Sequence, residues 1–128
     1  MNLNIAICDD DTNDIAIMKK NILQYTIESD NNIVVSSYFS ASDLLSDYKN
    51  HLYQIVLLDI EMEGMNGYQA AEELNRLPDI PLIIFITQSG AYIIRGYEVA
   101  FRYLKKPVEY PDFVRAVSAA VAKCSPKS

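Results

Sequence analysis

The sequence predicts one α/β domain built on a doubly wound, five-stranded parallel sheet with the strand order 2-1-3-4-5. Apolar runs of strand length alternate with segments of helical apolar spacing along the chain. The first, third and fourth runs are almost continuously apolar, as expected for strands buried on both faces. The second and fifth runs contain polar residues and fit the sheet edges. A length of 128 residues suits a single core.

The predicted elements form five consecutive strand-helix units. The strands are predicted at residues 3–8, 33–39, 54–59, 82–87 and 101–105. The helices are predicted at residues 12–29, 41–50, 66–76, 90–98 and 110–123. Such an alternation implies that helices cover both faces of the sheet.

Local signals support the individual elements in turn. Asp11 is the predicted N-cap of the first helix, and Ser40 or Ser42 caps the second. Apolar residues recur at helical spacing in the first helix: Ile15, Met18, Ile22 and Leu23. The third helix follows a glycine-containing turn, in which Gly64 and Gly67 are expected to shape the loop. Prolines precede the fourth strand, and the last helix is apolar on one side, at Phe113, Val114, Val117, Ala120 and Val121.

Composition narrows the function classes. The net charge is −6 and the isoelectric point is about 4.6, so this segment is not expected to bind nucleic acid by itself. Two cysteines, Cys8 and Cys124, give no disulfide framework and favour a reducing cytoplasm. No apolar run approaches the roughly 18 residues that cross a bilayer, and no signal peptide is evident, so no membrane partner is expected.

Polar residues end four of the predicted strands. Asp9 and Asp10 follow the first, Asp59 ends the third, Thr87 ends the fourth and Lys106 follows the fifth. In the predicted order these four strand ends are neighbours, at the edge where α/β sheets bind ligands. Clustered carboxylates repel one another, so either one is protonated or a cation lies among them. Oxygen ligands without His or Cys suit Mg²⁺ or Mn²⁺, and an ammonium beside them suits a phosphoryl group.

These motifs resemble the receiver domain of two-component response regulators, the CheY-like family of flavodoxin-like fold. The motifs are Ile7-Cys8-Asp9-Asp10-Asp11, Leu57-Leu58-Asp59-Ile60-Glu61-Met62, Gly64-Met65-Asn66-Gly67, Thr87 and Tyr103-Leu104-Lys105-Lys106-Pro107. The resemblance implies a receiver domain over residues 1–123. Gly96-Tyr97-Glu98-Val99-Ala100 also resembles receivers joined to LytTR-type (LytR/AlgR-type) DNA-binding domains. Residues 124–128 are then expected to be a frayed tail or the start of a linker to an output domain.

The resemblance implies a role for each site residue. Asp59 is expected to be the phosphoacceptor. Mg²⁺ is expected on Asp9, Asp10, Asp59 and the backbone carbonyl of Glu61, with Asp10 a direct ligand and Asp9 acting partly through water. Lys106 is expected to contact the phosphoryl oxygens, and its competitor Lys105 should point to the opposite face. Thr87 would bond the phosphoryl group, and Tyr103 holds the position of the switch aromatic or is simply an edge-strand packing residue.

Two residues depart from the usual receiver pattern. Gln88 follows Thr87 where a small residue is common, and Glu61 adds an acid near the metal. We expect both to tune how long the phosphoryl group survives, and Gln88 to slow exchange with small phosphodonors.

The resemblance also implies partners. A histidine kinase is expected to dock on the side of the first helix near Asp11, Asn13 and Asp14. A homodimer is expected on phosphorylation, through the face formed by the fourth helix, fifth strand and fifth helix. This face would control output, here transcription, and the domain would assist its own phosphorylation and dephosphorylation without being an enzyme in the usual sense.

Three alternatives remain open from the sequence. A HAD-type Mg²⁺-dependent phosphatase would use Asp59 as nucleophile and Glu61 as acid/base, but the rest of that pattern is missing. A flavodoxin-like FMN carrier needs a Ser/Thr/Gly-rich loop after the first strand, where this chain has three aspartates. The third alternative is a stand-alone or degenerate receiver that acts as an interaction module.

Overall fold

The computed structural model describes residues 2–48, 50–88 and 100–124. The strands are β1 (Asn2–Cys8), β2 (Asn32–Tyr38), β3 (Ile55–Asp59), β4 (Leu82–Thr87) and β5 (Arg102–Lys105). The helices are α1 (Thr12–Glu28), α2 (Ala41–Tyr48), α3 (Gly67–Leu74) and a C-terminal helix (Tyr110–Cys124). These elements begin and end within two residues of the predicted positions. The helix predicted at 90–98 lies outside the described residues.

The five strands form one parallel sheet in the order β2-β1-β3-β4-β5, which confirms the predicted topology. All five residues of β3 are buried, whereas the edge strands β2 and β5 keep exposed positions. The register aligns Cys8 with Leu58 and Thr87 with Lys105. The carboxyl ends of β1, β3, β4 and β5 therefore lie side by side along one edge.

Alternate residues of the central strands fill two apolar layers. Ile5 and Ile7 of β1 face a layer shared with α1 and the C-terminal helix. Ala6 and Cys8 face the opposite layer, which α2 and α3 cover. A strand places successive side chains on opposite faces, so the near-continuous apolar sequences of β1, β3 and β4 supply both layers. This double burial makes the strand ends a rigid support for the polar residues that follow.

Side-chain caps begin the helices that flank this edge. The Asp11 carboxylate accepts hydrogen bonds from the N–H groups of Asn13 and Asp14, as predicted for the N-cap of α1. Ser40 caps α2, since its Oγ accepts from the Asp43 N–H at 3.1 Å. Asn66 begins α3 through a capping box with Gln69. Among the described residues, no helix combines the length and apolar character that a membrane span requires.

Candidate functional site

Three carboxylates converge at the carboxyl ends of β1 and β3. Asp9 and Asp10 follow β1 directly, and Asp59 is the last residue of β3. One oxygen from each carboxylate lies within 4.8 Å of the others. Asp9 and Asp59 are buried, at 2% and 3% exposure, whereas Asp10 is exposed. The arrangement offers three oxygen ligands that open to solvent on the side of Asp10, a donor set suited to a hard divalent cation.

The buried carboxylates are costly to ionise. Burial raises the pKa of Asp59 to about 7, the negative charge of Asp9 adds to this effect, and Lys106 opposes it. Burial likewise raises the pKa of Asp9, against the opposing effects of the Asp11 N–H and Lys106. A cation beside these groups would relieve the repulsion between them.

The ammonium of Lys106 lies at the centre of the carboxylates. Its Nζ is 2.8 Å from Asp14 Oδ2, 3.0 Å from Asp9 Oδ2 and 3.4 Å from Asp59 Oδ1. Burial lowers the pKa of Lys106, but hydrogen bonds to Asp14 and Asp9 and the charge of Asp59 outweigh it and raise the pKa above its usual value. Lys106 therefore stays positively charged. Its backbone N–H donates to the Thr87 carbonyl at 2.8 Å, which holds it against the end of β4.

A small cavity of about 110 Å³ opens above these groups. Its lining residues are Asp10, Asp11, Asp14, Asp59, Glu61, Gln88 and Lys106. Gln88 and Glu61 thus border the same space as the Asp59 carboxylate. A ligand entering here meets several carboxylates and one ammonium, so a phosphate group would bind only with a cation to offset the repulsion.

Thr87 and Tyr103 occupy different surroundings. Thr87 is buried at the end of β4, next to the anchor point of Lys106 and outside the cavity lining. The Tyr103 ring packs against Phe85, with 5.5 Å between ring centroids, in the layer that α2 and α3 cover. Lys105 is exposed, whereas the Lys106 side chain is only 11% exposed. The carboxyl edge of the sheet therefore brings Lys106, Thr87 and the three aspartates together. Tyr103 lies outside this group, in the apolar layer that α2 and α3 cover.

Backbone N–H groups of the loop after β3 donate hydrogen bonds to the carboxylates of Asp59 and Asp10. The Glu61 N–H donates to Asp59 Oδ1 and the Glu63 N–H donates to Asp10 Oδ2, both at 3.4 Å. Gly64 has a φ of 75° and serves the turn role expected of it. Gly67 differs from that expectation: it is the first residue of α3, and a Cβ there would lie 2.4 Å from the Asp59 carbonyl oxygen. Its role is close approach between α3 and β3.

Asp14 is a site residue that no local sequence pattern connects with Lys106. The family resemblance implies for it only a place on the docking side of the first helix. The available signal is its position three residues after the Asp11 cap, in the first turn of a helix that starts beside the carboxylates. Lys106 reaches it across 92 positions of sequence, and only the tertiary structure gives that contact.

Known proteins resemble this chain in sequence. A family model described as response regulator receiver domain matches residues 5–118. The chain is 32% identical over 95 residues to an uncharacterized response regulatory protein of Vibrio cholerae, covering 73% of this chain and 33% of that protein. It is 29% identical over 122 residues to the sensory transduction protein LytT of Oceanobacillus iheyensis, covering 92% of this chain and 48% of that protein. The chain thus spans about a third to a half of the length of these relatives.

A solved structure shares the fold. The response regulator protein TrrA of Thermotoga maritima, in complex with Mg²⁺-BeF, superposes with a TM-score of 0.81 at 21% identity. The match covers 92% of this chain and 98% of that one. At this identity the likeness establishes the fold alone.

Proposed function

The chain belongs to the response regulator receiver domain family, and we propose that it is a phosphorylation switch in which Asp59 accepts a phosphoryl group from a histidine kinase. The observation that carries this proposal is the surroundings of Asp59. Its carboxylate lines the small cavity, 3.4 Å from the Lys106 ammonium and within 4.8 Å of the Asp9 and Asp10 oxygens. Receiver domains are in general signalling domains rather than classical enzymes, which favours a switch over the phosphatase alternative.

The proposed reaction is a displacement at phosphorus. An Asp59 oxygen forms a bond to phosphorus while the bond from phosphorus to the kinase histidine nitrogen breaks, and the product is an acyl phosphate. Both partners are negatively charged, so the positive charge of Lys106 lowers the cost of their approach. The rigid end of β3 holds the nucleophile in place, and such positioning does most of the work in phosphoryl transfer.

The donor set fits Mg²⁺, with Mn²⁺ as a substitute. We propose Asp10 as a direct ligand, Asp9 as a ligand that acts partly through water, and Asp59 and the Glu61 backbone carbonyl as the remaining protein ligands. When bound, the ion offsets the charge that develops on the transferred oxygens. The Mg²⁺ named in the TrrA complex supports this proposal by likeness of fold.

The signal would pass from Asp59 to the β5 side of the sheet. Thr87 would bond a phosphoryl oxygen, and its inward shift would change the packing around Phe85 and Tyr103. Gln88 and Glu61 border the cavity and would tune the rate and lifetime of phosphorylation. The role of Gln88 is tested by labelling the Gln88→Ala variant with acetyl phosphate. An unchanged rate of phosphorylation would remove Gln88 from the proposal.

The output is proposed from the relatives. The chain covers a little under half of the length of relatives named sensory transduction protein LytT, and we propose a LytTR-type DNA-binding output for the whole protein. The face around β5 and the C-terminal helix would mediate a homodimer after phosphorylation, and α1 would dock the kinase. Sedimentation with and without beryllofluoride tests the dimer, which a monomer in both states would contradict.

The decisive experiment is intact-mass spectrometry after incubation with acetyl phosphate and Mg²⁺. We expect a gain of one phosphoryl group in the wild-type protein. The gain should disappear in Asp59→Asn and when EDTA removes the metal. A gain that persists in Asp59→Asn would place the acceptor elsewhere. No gain with any donor would favour the stand-alone or degenerate receiver that acts as an interaction module.

A further inference from the structure

Lys106 has a carboxylate partner that the transfer reaction does not require. Asp14, in the first turn of α1, approaches Lys106 Nζ at 2.8 Å, the shortest ion pair that this ammonium forms with a described residue. Asp59, the proposed nucleophile, is farther away at 3.4 Å. Asp14 is itself only 26% exposed and forms part of the cavity wall. The ammonium is therefore held toward α1 before any phosphoryl group arrives.

From this geometry we infer that Asp14 is a positioning residue that competes with the phosphoryl group on Asp59 for the Lys106 ammonium, and so slows phosphorylation. The inference rests on the proposed function and deepens it, because it assigns control of the reaction rate to a residue outside the reacting set. Asp14 does not touch the reacting atoms: it acts mainly through Lys106, and its charge adds a weaker repulsion across the cavity.

The competition follows from the donors that Lys106 has to offer. An ammonium carries three N–H donors, and Asp9 and Asp14 already accept hydrogen bonds from it at 3.0 and 2.8 Å. Phosphoryl oxygens bound at Asp59 need the same positive charge. Charge-assisted hydrogen bonds of this kind are among the stronger ones in proteins, so releasing Lys106 from Asp14 raises the barrier to transfer.

The cavity adds a second effect in the same direction. The phosphoryl group enters a space of about 110 Å³ whose wall includes the Asp14 carboxylate. At partial burial, two negative groups across so small a space repel appreciably. Both effects predict that the neutral residue Asn at this position speeds phosphorylation.

Asp14 also has an ordinary structural explanation. An acidic residue in the first turn of a helix interacts favourably with the helix dipole, and Asp14 N–H is already bonded to the Asp11 cap. Loss of that effect would lower stability but would not accelerate chemistry at Asp59. Rate and stability therefore separate the two roles.

The test measures the second-order rate of phosphorylation by acetyl phosphate in Mg²⁺. In this reaction the Asp59 oxygen bonds phosphorus as acetate leaves with the electron pair of the broken P–O bond. We expect Asp14→Asn to react about fivefold faster than wild type, since a charge-assisted hydrogen bond to Lys106 is lost. Beryllofluoride, followed by ¹⁹F NMR, should bind about fivefold tighter for the same reason.

Three further variants make the test specific. Asp14→Glu keeps the charge and should restore the slow rate. Asp11→Asn removes the same unit charge from the same cavity wall and retains a good N-cap, so its effect measures general charge and should stay below about twofold. In a Lys106→Ala background, the gain in beryllofluoride affinity from Asp14→Asn should fall to below about twofold, because the competition needs the ammonium and only the general repulsion remains.

The outcomes distinguish this inference from the proposed function. If wild type is labelled and Asp14→Asn is equal or slower, the inference is wrong and the switch stands. Equal acceleration by Asp11→Asn, or a gain of undiminished size without Lys106, also overturns it. Should Asp14→Asn fold poorly by thermal melting, Asp14→Ser serves in its place, with the same expected direction. If wild type is labelled by no donor, both proposals fall.

Discussion

The carboxylate of Asp59 is buried beside the buried carboxylate of Asp9, and this makes the proposed phosphoacceptor a source of instability in the folded domain. Burial, together with Asp9, raises the pKa of Asp59 to about 7. Lys106 lowers the cost, but it is shared with Asp9 and Asp14. A carboxylate held at a strand end beside like charge is electrostatically unfavourable, and such perturbed groups are often found at functional sites.

The pKa of Asp59 predicts how its substitution changes stability with pH. The unfolded pKa of an aspartate is about 4, so between about pH 4 and pH 7 the folded metal-free protein holds a proton that the unfolded chain has lost. That contribution is complete below about pH 4 and is lost as pH rises through 7. At pH 8, Asp59→Asn should therefore raise the free energy of unfolding by roughly 2 kcal/mol, and at pH 5 by much less.

Urea unfolding in EDTA at both pH values measures this effect. Asp43→Asn is the matched control, since Asp43 is an exposed aspartate in the first turn of α2 and should give no gain at pH 8. Equal stability of Asp59→Asn and wild type at pH 8 would show that Lys106 fully compensates the buried charge.

Site residues differed in how readily the sequence revealed them. Asp9, Asp10, Asp59 and Lys106 each lie at the carboxyl end of a predicted strand, so the predicted strand order alone indicates that they meet. The Asp14 contact depends on where the long Lys106 side chain points, and no local pattern encodes that direction. The assigned roles of these residues remain predictions.

At the ends of two helices, the local sequence pattern does not predict the last helical residue correctly. The predicted helices at 41–50 and 66–76 extend past the observed ends of α2 and α3. After both helices the hydrogen bonds change to three-residue spacing, from Asn50 N–H to the Asp47 carbonyl and from Leu77 N–H to the Leu74 carbonyl. The residues of these tighter last turns do not form the four-residue hydrogen bonds of the helix. Apolar periodicity therefore predicts helices that are too long.

The start of α3 is fitted against β3 with no room for a side chain. Gly67 donates its N–H to the Ile60 carbonyl at 3.0 Å, and a Cβ would lie 2.8 Å from the Ile60 Cα. Both close atoms belong to the backbone, so neither can rotate away. The capping box of Asn66 and Gln69 fixes α3 in this position. The tight contact sets the position of the Asp59 carbonyl and hence of the strand end.

Gly67→Ala should therefore destabilise the domain by about 3 kcal/mol, because the new methyl group overlaps backbone atoms. Gly64→Ala is the matched control: no atom of the described residues lies within 4 Å of its Cβ position, and its φ of 75° opposes the change, at about 1 kcal/mol. Urea unfolding of both variants measures the difference. Equal costs would mean that α3 shifts freely relative to β3.

At the scale of the whole molecule, the apolar residues that stabilise the fold and the charged residues of the candidate site lie in different places. The apolar layers cover both faces of the sheet, whereas the three clustered carboxylates lie at one edge. The strand order followed from hydrophobic patterning because central strands are apolar on both faces and edge strands are not. The segment between β4 and β5 lies outside the described residues, so the predicted fourth helix and its share of the proposed dimer face stay predictions.

The repulsion among the three clustered carboxylates predicts that a divalent cation bound between them stabilises the whole domain. Mg²⁺ bound at Asp9, Asp10 and Asp59 offsets the repulsion that favours unfolding, and the unfolded chain does not hold these three carboxylates together. At a concentration near 100 times its dissociation constant, Mg²⁺ should raise the free energy of unfolding by about 2.7 kcal/mol at pH 8.

Urea unfolding with Mg²⁺, compared with NaCl of matched ionic strength, measures the part of this stabilisation that is specific to Mg²⁺. Asp10→Asn should lose most of the gain, whereas Asp11→Asn, one residue along and also exposed, should keep it. Equal stabilisation by NaCl, or equal loss in both variants, would mean that the carboxylates respond to general screening and form no defined metal site.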